Sequence, residues 1–490
     1  MRKRLFVILV ISSFNICLIK AKTSYGLQTF IRMAQDSSVA AIKARNIFEA
    51  AYWQYRGYRA DRLPSLTMTL TPFEYDRNVI KRYISSTDRD EYRSQRSLYS
   101  YGNLQLSQNV DLTGGTVYAT SELGFLRTFS TSTFNQFTSA PFKIGYHQPL
   151  VGYNSFRWDN AIEPVKYEAA RRNYTYAMEN IAYETATLFF ELASAETALR
   201  TTQNLYAKAD TLLTAGKTLY KQDALVKSDL LVLEQNSLQI QNQCIQKEND
   251  CRNALFNLLS YAGFSQMDSI DIAIPDGTPV AEVSFEQAVR ECREGNPAYL
   301  EMRQDILSAS RDLDKAGKQR HLEANLDFSI GYNQYSDQFR SAYRNLMQQE
   351  VVSVGITIPL LDWGKRKGKY NMAKSTLETL RAEERQKTLA LEEEVFAAVN
   401  NYHTQRKFLE NSKNGIRVND IIYHETVEKF LAGTVNVREV REAMDNVMQS
   451  EERYMDSLRD DWLSYLNLRR LTLYDFQKGC RLVHTEEWDR

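Results

Sequence analysis

The chain repeats itself at a fixed offset of 210 residues. Residues 149–258 can be laid over 359–468 without a gap, placing Pro149 on Pro359, Leu150 on Leu360, Tyr220 on Phe430, Asp229 on Glu439, Asn257 on Asn467 and Leu258 on Leu468. Each copy reads as a strand ending in Pro-Leu, a turn, and then a very long helical pattern. A period this long is too large for solenoid repeats. It implies a duplicated half-protein, an internal two-fold pattern often carried by protomers that build rings.

Proline placement maps the helices. The nine prolines stand at 64, 72, 141, 149, 164, 275, 279, 297 and 359, so none falls between Pro164 and Pro275 or after Pro359. Glycine is almost absent from the same stretches, and residues that break helices are thereby kept out of two blocks of about 100 residues. Pro164 stands where a helix would begin, the position at which proline is accepted. Ala177, Ile181, Leu188, Leu192, Ala195 and Leu199 recur at helical steps, interleaved with the small residues Ala182, Ala186, Ala193 and Ala198. That spacing fits coiled-coil packing with closely approaching helices. Breaks at residues 216–228 and 431–436 divide each block into two antiparallel helices of roughly 50 residues, near 75 Å long.

Four short runs alternate instead with period two. They carry Leu66, Met68 and Leu70; Phe142, Ile144 and Tyr146; Leu326, Phe328, Ile330 and Tyr332; and Val352, Val354, Ile356 and Ile358. Each is about nine to eleven residues, the length a tilted strand needs to cross hydrocarbon. Two precede each helical block. Four strands cannot close a barrel, and an open edge in lipid leaves backbone groups unpaired at several kcal/mol each. If the strands are embedded, the chain must oligomerise, and twelve strands from three chains is the simplest ring that leaves a pore. A soluble sheet edge makes no such demand.

The N-terminus supports export. Met-Arg-Lys-Arg followed by an apolar run from Leu5 to Ile19 has the layout of a secretory signal, with a tolerable cleavage site after Ala21. About 15 apolar residues fall short of the roughly 20 a spanning helix needs. Cys17 lies in a poor lipoprotein context. Cys244 and Cys251, seven apart on one helix, are about 10 Å apart along its axis, too far for a disulfide. They read, with Cys292 and Cys480, as isolated small apolar residues. Lys+Arg and Asp+Glu balance at 61 each, so no net field favours nucleic acid.

With this layout the chain resembles the TolC family of outer-membrane efflux proteins over nearly all of the mature sequence. The resemblance rests on the strand–strand–helix–helix duplication, on Gln148-Pro149-Leu150 and residues 358–364 (Ile-Pro-Leu-Leu-Asp-Trp-Gly), on Asn296-Pro297, and above all on residues 430–440 (Phe-Leu-Ala-Gly-Thr-Val-Asn-Val-Arg-Glu-Val), which resemble the family's helix–turn–helix tip. It implies a mixed α and transmembrane β fold, in which a homotrimer with four strands per chain forms a twelve-stranded β-barrel in the outer-membrane lipid. A long periplasmic α-helical coiled-coil barrel would continue it and dock a periplasmic adaptor protein and an inner-membrane pump. No cofactor and no nucleic acid would be bound.

The implied organisation is a signal peptide (1–21), an N-terminal helical segment (22–62), strands 1 and 2 with a long insertion (63–150), a first helical hairpin (151–260) and an equatorial linker (261–295). A helix (296–322), strands 3 and 4 (323–360), a second helical hairpin (361–476) and a polar tail (477–490) would follow. Residues 76–140 depart from the family plan. They include an alternating pair of runs, 102–127, around Thr113-Gly114-Gly115, which reads as a β-hairpin at the outer face, although it could displace residues assigned to the first two strands.

The resemblance also assigns the functional positions. Glu439 and Glu442, three apart and on one helical face, match an acidic pair at the tightest constriction. Rings of such carboxylates attract cations and raise one another's proton affinity. A solvated acidic face, helped by Arg438 and Arg441, is the competing reading. Ser228 and Asp229 match positions that receive links between inner and outer coils, but Phe430 replaces the donor tyrosine and Val435 the donor arginine. A gate held by apolar packing is therefore expected. The adaptor would meet Leu431, Ala432, Gly433 and Thr434 at one tip, and Tyr220, Ala224 and Leu225 at the other, which lacks the family's frequent glycine. Tyr52, Trp53, Tyr55, Tyr58, Trp158 and Trp363 would form an interfacial belt, with helix packing an equal alternative for the first four.

No catalytic constellation is present. The five histidines are scattered, without metal spacing such as His-Glu-x-x-His, and neither a phosphate loop nor a Gly-x-Ser-x-Gly elbow occurs. The expected function is a passive, gated exit duct of a tripartite efflux pump, with type I protein secretion as an alternative. A periplasmic coiled-coil adaptor or scaffold is the reading from another class.

Overall fold

The computed structural model describes residues 24–484 except 87, 130–132, 224, 265–269, 278–281 and 321. The expected signal peptide, Cys17 and Ala224 lie outside the described residues. The chain divides into two compact units. One gathers the chain up to Ile42 with Glu179–Ala281 and Asn400–Asn467; the other gathers Lys43–Met178, Glu282–Val399 and Leu468–Arg490.

In chain order the elements begin with β1 (Ser24–Gly26), α1 (Leu27–Ser37) and α2 (Val39–Ala60). Four long strands follow, β2 (Ser65–Ile84), β3 (Arg89–Val110), β4 (Gly115–Phe129) and β5 (Phe134–Val151). Then come α3 (Ser155–Lys221), α4 (Lys227–Tyr261), β6 (Asp271–Ala273), α5 (Phe285–Gly295) and α6 (Pro297–Lys318). The second repeat closes with β7 (Glu323–Ser336), β8 (Met347–Thr357), α7 (Lys365–Leu431), α8 (Val437–Thr472) and the two-residue strands β9 (Tyr474–Asp475) and β10 (Cys480–Arg481).

The helices are unequal where halves of about 50 residues were expected. α3 and α7 each run for 67 residues, whereas α4 has 35 and α8 has 36. Pro164 lies inside α3 rather than at its start. The helix opens instead at Asn154, whose Oδ1 accepts from the Arg157 N–H at 3.1 Å, the side-chain cap that satisfies an orphan donor. One turn before the proline, the Asn160 side chain accepts from Arg62 at 3.0 Å and Tyr58 at 3.2 Å.

In the first unit, small residues bring the helices together. Ala182, Ala186 and Ala193 are buried beside Phe189, Phe190, Leu192, Leu258, Leu458 and Trp462, and α1 adds Leu27, Phe30 and Ile31 to the same core. Phe30 meets Phe189 with ring centroids 5.8 Å apart, and β1 pairs in parallel with β6. Thr185 and Thr202 bond back to the carbonyls of Ile181 and Ala198 at 2.7 Å, so buried hydroxyls are satisfied within the helix.

The second unit holds a six-stranded sheet of order β2-β3-β4-β5-β7-β8, antiparallel throughout. This corrects the expectation of four strands per chain. The Gly102–Arg127 hairpin does form, but its turn does not face outward. Asp111–Gly114 lies at the end of the sheet where the helices attach: Asp111 pairs with Arg62, which follows α2, and its carbonyl accepts from Asn154, which precedes α3, at 2.9 Å. Both inserted strands are therefore full members of the sheet.

The same unit gives Asn296 and the C-terminal segment definite roles. Asn296 is buried, caps α6 by accepting from the Ala298 N–H, and donates to the Leu471 carbonyl at 2.9 Å, with Pro297 in the first turn as helix starts favour. Within the expected tail, Arg481 pairs with Glu291 and Glu294, and the His484 N–H reaches Thr175. Tyr55 stacks on Tyr167 at 4.6 Å, so it serves helix packing, while Trp363 is 90% exposed.

Candidate functional site at the helical tips

Both hairpins reverse direction in the first unit, and each turn solves the same backbone problem with a different residue. In the second hairpin, Gly433 takes φ +74°, the left-handed conformation that glycine adopts at helix C-termini. Its N–H bonds the Phe430 carbonyl, while the Thr434 N–H and hydroxyl both bond the Lys429 carbonyl, at 3.0 and 2.9 Å. In the first hairpin Asp223 occupies that region at φ +56°. Aspartate is among the few residues other than glycine that visit it. The missing glycine is thus replaced in function two residues after α3 ends.

The start of α8 is closed by a reciprocal cap. Asn436 Oδ1 accepts from the N–H groups of Arg438 and Glu439 at 2.9 and 3.2 Å, and Glu439 Oε1 accepts from the Asn436 N–H at 3.4 Å. This is a capping box, and it gives Glu439 a structural task. Glu442 is exposed one turn further along. Sequence reasoning missed the cap, although Asn followed three residues later by Glu is its signature.

Behind the acidic pair the tip is apolar. Phe430, Val437, Val440, Ala443 and Met444 are buried with Leu205, Leu212, Leu213, Leu233 and Tyr423, and Leu225, Leu230 and Val435 pack against them. Phe430 is only 5% exposed. A tyrosine there would have to find a partner for its hydroxyl; phenylalanine needs none. Gly216 permits a close approach between α3 and α4, since a Cβ at that position would lie 2.5 Å from Leu233 Cδ1.

The remaining predicted positions are placed as follows. Ser228 is exposed and Asp229 half-buried in the first turn of α4, where a carboxylate complements the helix dipole. Leu431, Ala432, Gly433, Thr434 and Tyr220 are exposed at the turns. Leu431 is the most notable, an aliphatic side chain 55% exposed beside a packed cluster. The tip therefore brings the apolar residues together and leaves Glu439, Glu442 and the turn residues on its surface.

The polar face of the sheet carries charged groups that sequence reasoning did not single out. Lys143 pairs with Glu122 at 2.7 Å, and His147 Nδ1 lies 2.6 Å from Asp327. Their signal was present as polar residues alternating with the apolar run, but their pairing depends on register. Outside the sheet, Cys292 is buried and burial pushes its thiol up to about 12, with the Glu394 carboxylate adding to the effect. It is a packed apolar residue and not a reactive thiol.

Residues 288–472 match the family model described as outer membrane efflux protein. No curated protein matches the chain. Among solved structures, a membrane protein from Pseudomonas aeruginosa is 15% identical with a TM-score of 0.65, over 94% of this chain and 92% of that one. The outer membrane protein VceC of Vibrio cholerae is 12% identical with a TM-score of 0.64, over 91% and 95%. The CmeC outer membrane channel of Campylobacter jejuni is 13% identical with a TM-score of 0.64, over 94% and 87%. At these identities the likeness establishes a shared fold.

Proposed function

Since residues 288–472 match the outer membrane efflux protein family model, we propose that three copies form a passive conduit through the outer membrane, the exit duct of a tripartite efflux pump. One observation carries this reading. The sheet exposes an apolar face, including Leu66, Met68, Leu70, Ile144, Phe328, Ile330, Val352, Val354 and Ile356, in a chain whose remaining length is two long helical hairpins. A two-faced antiparallel sheet of this kind suits a lipid–water wall. The hairpins suit a tube beneath it. Among the described residues no helix is long and apolar enough to cross a membrane.

The tips would form the gate. Apolar packing around Phe430 and Val435 holds each hairpin closed, and Glu439 and Glu442 from three copies line the aperture and favour cations. Leu431, Ala432, Gly433 and Thr434, with Tyr220 and Leu225, meet the adaptor. The pump supplies the energy, because a duct of this kind does no chemistry.

Deleting the chain in its native host and restoring it tests the reading. The expected result is a protein that fractionates with the outer membrane as a trimer, and a deletion strain that accumulates toxic solutes until the chain is restored. Recovery as a soluble periplasmic monomer with no effect on accumulation would overturn the proposal.

A further inference from the structure

We propose that the inserted hairpin β3–β4 is part of the membrane wall, so that the free edges of the sheet each pair with a second copy of this chain and three copies close an eighteen-stranded barrel. The inference rests on the trimer proposed above and goes beyond it in the number of strands per copy.

Register is the first ground. β2 does not pair with β5; β3 and β4 stand between them, with β3 joined to β4 from Arg96↔Phe129 to Val110↔Gly115, and β4 joined to β5 from Thr116↔His147 to Thr128↔Phe134. The hairpin cannot lift away without splitting the sheet into β2 and β5-β7-β8. Its turn is also tied to the helix-side end through Asp111, so both strands start from the level of β2 and β5.

The second ground is that the two-faced pattern crosses the insertion in phase. One row across the sheet reads Leu66, Leu106, Ala119, Ile144 and Ile330, ending at Glu350. The row beside it reads Thr67, Gln105, Thr120, Lys143, Gly331 and Gln349. Leu104, Leu106 and Val117 of the inserted strands are exposed like their neighbours, whereas Thr120 on the other face is buried. A hairpin standing in external solvent would have no reason to carry an apolar face in phase with a lipid wall.

The edges identify the occupant. β2 leaves the helix-side end and β8 returns to it, and six is an even number, so β8 of one copy meets β2 of the next in the antiparallel sense that the whole sheet uses. Both present apolar side chains on the same face: Leu66, Met68 and Leu70 on β2, and Val352, Val354 and Ile356 on β8. Pro72 lacks an N–H and coincides with the irregularity between Thr71 and Glu74, as proline does at strand edges and bulges. Pairing between copies would therefore use Ser65–Thr71 and stop there. Beyond Arg77 and Arg96, where β4 ends, β2 and β3 continue as a two-stranded ribbon with charged residues such as Lys81 and Asp90.

The consequence is a wider exit. Barrel diameter grows roughly linearly with strand number, so eighteen strands give a bore about 1.5 times that of twelve, in the range where barrels leave an aqueous channel. Size selection then falls to the helical tips and not to the barrel.

A cryo-EM reconstruction of the full-length protein extracted from the outer membrane counts copies and strands together. Three copies with eighteen strands are expected. Three copies with twelve, β3–β4 standing outside the wall, would overturn this inference and leave the trimer intact. Two copies closing twelve strands would overturn the trimer itself.

Discussion

Phe430 stands where the family resemblance calls for a tyrosine that links inner and outer coils, and its ring is buried in the apolar cluster of the tip. The departure was legible in the residue type alone, because a ring without a hydroxyl can hold a gate only by packing. Truncating Phe430 to Ala should cost about 3–5 kcal/mol of local packing and raise the closed-state leak measured in planar bilayers. Asp229→Ala should leave that leak unchanged. A leak from Asp229→Ala as large as that from Phe430→Ala would contradict a gate held by packing. Glu439 was only half legible. The family resemblance assigned it to the aperture, whereas its bond to the Asn436 N–H caps α8, so Glu442 is the cleaner probe of ion selectivity.

At the level of elements, periodicity revealed that long helices exist but not where each one ends. Gly216 looked like the start of a break, yet it lies within α3, five residues before its end. It is glycine because Leu233 of α4 passes so close. The requirement comes from the helix across the turn, 17 positions on in sequence, and no local signal announces it. Gly216→Leu should overpack this contact and lower stability by about 1–3 kcal/mol. Gly216→Ala should do less, because alanine recovers up to about 1 kcal/mol of helix propensity. Thermal unfolding of the two variants would show this, and an undiminished melting temperature for Gly216→Leu would contradict the close approach. The strands show the same limit. Alternation exposed the 102–127 hairpin, but strand order and the end at which its turn lies depend on Asp111 meeting Arg62 and Asn154, contacts across 40 or more positions.

For the molecule as a whole, the 210-residue duplication and the two proline-free blocks made the repeated strand–helix plan legible. What they did not reveal is that the repeats are unequal, the first carrying four long strands and the second two. The chain is proposed to form a conduit closed by packing and lined by acid at its helical tips. Single-channel conductance of the outer-membrane-extracted protein in a planar bilayer, under a salt gradient, tests it most directly. Small cation-selective steps are expected, with the selectivity reduced in Glu442→Gln. A water-soluble monomer that passes no current would contradict the account.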